Sequence, residues 1–101
     1  MTLEDQIIQD YKVICQQLEN DEDLVKSFKR TGENKIEQAF RELNIYEQNN
    51  DVDPAITTWM RQEILKTQEQ YNETLGYEQK KLQQKLEDNE QDYRRKLTQM
   101  R

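Results

Sequence analysis

The stretch Glu47-Gln48-Asn49-Asn50-Asp51-Val52-Asp53-Pro54 interrupts an otherwise uniform chain of 101 residues. Asn and Asp favour turns because their short side chains bond to nearby backbone. Asp53 is a good helix N-cap, and Pro54 suits the first helical position, where its missing N–H has no partner to lose. The chain therefore divides into helix 1 at about 2–47, a turn at 48–53 and helix 2 at about 54–101, within a single domain. Thr2 is the matching cap at the start, with Glu4 and Asp5 favourably placed against the helix dipole. Each helix should run roughly 65–70 Å at about 1.5 Å per residue.

Apolar spacing on both sides of the turn is helical. The first half carries Leu3, Ile7, Tyr11, Ile14, Leu18, Val25, Phe28, Ile36, Phe40 and Leu43. The second carries Ile56, Met60, Ile64, Tyr71, Leu75, Leu82, Leu86, Tyr93, Leu97 and Met100. Steps of three, four and seven dominate, which gives heptad-like stripes with occasional stutters. The expected fold is all-α: two long antiparallel helices forming a helical hairpin with a coiled-coil seam.

If the chain folds back at 48–53, residues whose numbers sum to about 103 or 104 lie opposite one another. Tyr11 then meets Tyr93, Leu18 meets Leu86, Phe28 meets Leu75 and Leu43 meets Met60. Gly76 falls beside Phe28, where a missing side chain would make room for the ring. Gly32 admits two readings: a glycine tolerated within helix 1 at about 1 kcal/mol, or a kink or short break where the stripe slips between Phe28 and Ile36.

Composition agrees with long helices and a thin core. Charged residues make up 36%, and Leu, Ile, Val and Phe together number 21, close to the level at which chains stop folding. A wide core is excluded, but a coiled-coil seam needs only two apolar positions in seven. The net charge of −6 disfavours nucleic acid and anionic membranes as partners. Residues 1–53 carry 6 basic and 13 acidic side chains, whereas 54–101 carry 9 and 8, so the two helices repel little. Glu22/Lys26, Glu37/Arg41, Glu90/Arg94 and Asp92/Lys96 are four-residue pairs in the favourable order, each contributing ~0.2–0.5 kcal/mol. No stretch approaches the ~20 apolar residues of a membrane span, so no membrane insertion is expected. The N-terminus has neither the basic start nor the apolar core of a signal peptide, so a cytoplasmic protein is expected, exported if at all with a partner and without a cleaved signal.

Nothing in the chain points to catalysis. Histidine is absent, and a two-helix hairpin encloses no pocket in which to tune a pKa. No cofactor is implied. Cys15 stands alone in the run Val13-Ile14-Cys15 and reads as a small hydrophobe rather than a nucleophile. The acidic segment Glu19-Asn20-Asp21-Glu22-Asp23 lacks the glycine and distal Glu of a calcium loop, so no metal site is expected. The basic run Arg94-Arg95-Lys96 is interleaved with acidic residues and suits the end of a helix without any nucleic acid.

Apolar residues remain off the seam: Ile8, Val13, Leu24, Ile45, Tyr46, Trp59, Leu65 and Tyr77. A hairpin cannot bury such a second stripe by itself, and the surplus marks an interface with another helix or hairpin. Ile45, Tyr46, Trp59 and Leu65, close to the turn, are the candidate partner-binding residues. Trp59 either packs over Ile45 at the hairpin tip or anchors a partner.

Two long helices, a central turn and a tryptophan beside it resemble the small helical-hairpin proteins of type VII secretion. These include the WXG-type proteins and the helical partners of LXG toxins in Gram-positive bacteria. Trp59-Met60-Arg61 places Arg where the Trp-x-Gly motif has Gly. Tyr93 is followed four residues later by Leu97, where the export signal has Asp or Glu. Both departures suit a partner subunit better than a carrier of the secretion signal. The resemblance implies an adaptor or chaperone that binds the helical N-terminal domain of an LXG toxin, together with a second small helical protein, and targets it for secretion. Two other functions fit the residues: a scaffolding coiled coil that self-associates, as a homodimer or in a phage-type assembly, and a small acidic inhibitor or antitoxin.

Overall fold

The computed structural model describes residues 2–100. They form two α-helices, α1 from Leu3 to Asn49 and α2 from Pro54 to Met100, with no strand among the described residues. The fold is the expected all-α antiparallel helical hairpin. The expected extension of helix 2 to Arg101 lies outside the described residues.

Both helix starts are built by their own caps. The Asp5 N–H donates to Thr2 Oγ1 at 3.1 Å, and the Thr2 N–H donates back to the Asp5 carboxylate at 3.2 Å, a reciprocal capping box. At α2 the Ala55 N–H donates to Asp53 Oδ1 at 2.9 Å, and Pro54 takes the first helical position. The end of α1 lies two residues beyond the expected Glu47. Asn50 explains the difference: its side-chain amide donates to the Tyr46 carbonyl at 3.0 Å, satisfying a group that would otherwise end the helix unpaired. The turn thus shortens to 50–53.

The two helices pair in two compact units. The terminal unit combines residues 2–25 with 77–100, and the central unit is Lys26–Gly76. In the terminal unit Leu18 and Leu82 are buried, with Ile7, Ile8, Tyr11, Cys15, Val25, Leu86, Tyr93 and Leu97 half-buried. Tyr11 stacks on Tyr93 at a centroid distance of 4.2 Å and 17° between planes, as the mirrored numbering requires. Asn89 sits in the same layer and donates to the Tyr11 carbonyl and to Cys15 Sγ, each at 3.4 Å. Ile8, expected outside the seam, is drawn partly in, whereas Leu3, Ile14 and Met100 stay exposed.

In the central unit the core is Leu43 and Thr57, flanked by half-buried Ile36, Phe40, Ile64 and Leu75. Here α1 runs unbroken through Gly32, so the break allowed by the sequence does not occur. The expected partnership of Gly76 with the Phe28 ring is also absent. A Cβ on Gly76 would meet nothing within 4 Å, and Phe28 is exposed. The notch lies instead at Gly32, against the ring of Tyr71, whose hydroxyl donates to the Phe28 carbonyl. Ile56 and Met60, expected in the seam, are exposed because Thr57 and Arg61 point inward in their place.

Candidate partner-binding surface

The central unit is fixed near the turn by a polar clasp. Arg61 reaches from the second turn of α2 to Glu47 near the end of α1, with Nη1–Oε1 and Nη2–Oε2 both 2.6 Å apart. Arg61 Nη2 also donates to Asn44 Oδ1 at 3.0 Å. The guanidinium meets the carboxylate edge on: Nη2 donates to Oε2, while Nη1 makes a close charge contact with Oε1, which accepts no hydrogen bond. The Arg61 guanidinium holds the Glu47 carboxyl below its ordinary range, and Glu47 in turn raises Arg61. Position 61 is where the Trp-x-Gly pattern has glycine. Here it is a seam position that a long cationic side chain fills.

Beside the clasp lies an apolar groove of about 430 Å³, open to solvent and lined by Ala39, Glu42, Leu43 and Tyr46 of α1 with Met60 and Ile64 of α2. Tyr46 and Met60 form opposite walls, and both are exposed. Ile45 follows Glu42 by three residues and Ile56 precedes Met60 by four, so each extends its wall by a turn toward the loop. The groove is what the mirrored stripes leave over when Thr57 and Arg61 turn inward: apolar side chains meant for the seam face water instead.

The four residues expected to bind a partner are all more than half exposed: Ile45, Tyr46, Trp59 and Leu65. Tyr46 lines the groove and Ile45 extends its wall. Leu65 borders a separate shallow depression on α2 with Gln68, Glu69, Asn72 and Glu73. Trp59, 60% exposed, does not line this groove and is not buried over Ile45. Met60 and Ile64 were hidden from sequence reading by their place in the apolar stripe. Their flanking Thr57 and Arg61 carry the signal, since both stand at seam spacing.

Elsewhere the surface is charged, with ion pairs along the second half of α2. Arg94 contacts Glu90 at 2.6 Å, while Lys96, at 3.0 Å, and Arg95 share Asp92, whose carboxyl both cations hold below its ordinary range. Lys81 lies 5.4 Å above the Tyr77 ring. Tyr11 is raised above the ordinary phenol range by the neighbouring Cys15 side chain. Among the described residues no group of three or more Cys, Asp or Glu side chains converges as metal ligands would, and no helix is long and apolar enough to cross a membrane.

In comparison with known proteins, no family model, no curated protein and no solved structure matches this chain.

Proposed function

We propose that this chain is a non-enzymatic adaptor or chaperone that binds a helical partner protein, in its concrete form an LXG-type toxin handed to a type VII secretion system. The groove walled by Tyr46 and Met60 carries the reading. Single exposed hydrophobics are ordinary, but apolar walls facing each other across two helices offer a third helix a ready place to pack. The described residues bury three large apolar side chains and leave thirteen exposed, so a partner helix has more to cover than the hairpin covers itself. The resemblance in helix plan to LXG-toxin partners supports the concrete form.

The test is co-expression with the helical N-terminal domain of an LXG toxin encoded beside this gene. A stable complex by size exclusion with light scattering, lost on Tyr46→Ala with Met60→Ala, supports the proposal. A chain that instead doubles its own mass at micromolar concentration and ignores the toxin domain is the scaffolding protein.

A further inference from the structure

The groove carries charge of one sign only. Glu42 stands on its α1 wall, and Glu63 follows Met60 by three residues, one turn along the same ridge of α2. No Lys or Arg lines it. Glu42 accepts a hydrogen bond from Gln38 Nε2 at 3.0 Å, and among the described residues neither carboxylate stands in an ion pair. Glu47, a few residues further along, is by contrast ion-paired with Arg61.

An apolar floor with one carboxylate in its lining, a second one turn along the α2 ridge and no cation in the lining selects its occupant by charge. We infer that the groove takes a basic amphipathic helix, with an apolar stripe at i, i+3 or i+4 and i+7 and Lys or Arg on both flanks. The apolar stripe supplies contact area, and the flanking cations meet Glu42 and Glu63, which sets orientation and partner choice more than raw affinity. A second copy of this chain fits poorly, since joining two copies by this face brings like carboxylates together on chains of net charge −6. This inference rests on the helix-binding reading and names the chemistry of the partner.

Two synthetic stapled helical peptides with the same leucine stripe test it, one flanked by Lys and the other by Glu, with binding to the full chain read by fluorescence anisotropy. The Lys-flanked peptide should bind at least about tenfold tighter at low salt, with the gap closing near about 1 M salt. Glu42→Gln with Glu63→Gln should erase most of that preference, whereas Asp21→Asn with Asp23→Asn, removing equal charge elsewhere, should keep it. Circular dichroism checks that these surface variants stay folded. Equal affinity for both peptides overturns the inference; if Tyr46→Ala still weakens both, helix binding itself survives. Failure of both peptides to bind overturns both readings. Concentration-dependent dimerisation abolished by Met60→Asp or by Tyr46→Ala gives the groove to a second copy and also overturns the inference.

Discussion

Gly32 of α1 faces the Tyr71 ring of α2 so closely that a Cβ there would lie 2.2 Å from Cε1 and 2.8 Å from both Cδ1 and Cζ. No real side chain tolerates that approach, so the ring or the helix must move. The ring is not free to swing, because its hydroxyl is held by the Phe28 carbonyl one turn back along α1. A glycine in mid-helix, unfavourable by about 1 kcal/mol against alanine, thus leaves the notch that the ring occupies.

Gly32→Ala should therefore destabilise the hairpin despite its better helix propensity. Overpacking of this kind costs about 1–3 kcal/mol, which exceeds or cancels the propensity gain. A net loss of about 1 kcal/mol would lower Tm by about 4–8 °C in a chain of this size. In a Tyr71→Ala background the same substitution should change sign and raise Tm. A gain of stability from Gly32→Ala with Tyr71 intact would mean that the ring is displaced at no cost.

That pair also marks what sequence could and could not convey. The numbers 32 and 71 sum to 103, so the mirrored numbering that predicts Tyr11 opposite Tyr93 already contained the contact. It went unread because a helical glycine signals a break, and its use as a space is visible only with the opposing ring in place. The polar seam was missed for a related reason. Apolar residues mark the stripes in the sequence, while Gly32, Glu47, Thr57, Arg61 and Asn89 take inward places between them in the structure. The mirror rule places Arg61 opposite Leu43, one turn short of Glu47, and only the long reach of an arginine closes that gap. Caps were legible because they depend on neighbours in sequence. The groove was not, since it follows from which of two adjacent stripes turns inward.

The Glu47–Arg61 clasp gives the fold a defined acid sensitivity. Glu47 has a depressed pKa in the folded chain, so its contribution is present above the unfolded value of about 4.3 and lost as pH falls through the lower folded value. Arg61 stays charged throughout this range. In Tm measured against pH, the wild type should therefore lose more stability below about pH 4.3 than Glu47→Gln does. At neutral pH Glu47→Gln should melt lower than wild type. Parallel acid limbs for the two proteins would show that the clasp adds nothing to folding.

The terminal unit offers a direct check of chain reversal. Leu18 is buried and Leu86 half-buried, and their numbers sum to 104, as do those of the stacked Tyr11 and Tyr93. Cysteines at 18 and 86, in a Cys15→Ala background, should form a disulfide within one chain under mild oxidation. Non-reducing electrophoresis would then show a single-chain species with altered mobility. Bands of doubled mass only would mean that the helices pair between chains.

Trp59 is the sole tryptophan, which makes its environment measurable on its own. At 60% exposure it contributes little to the fold, so Trp59→Ala should leave helicity and Tm nearly unchanged, within about 0.5 kcal/mol. Its emission in the free protein should be that of an indole in water. If it anchors a partner helix beside the groove, binding should shift the emission to the blue, and Trp59→Ala should weaken capture at least about tenfold, the scale of a large aromatic anchor. Tyr46→Ala should weaken capture without altering the free-state emission, because Tyr46 lines the groove and Trp59 does not. A complex that forms with unshifted Trp59 emission and undiminished affinity in Trp59→Ala would confine the interface to the walls of Tyr46 and Met60, leaving the outer face of α2 to water.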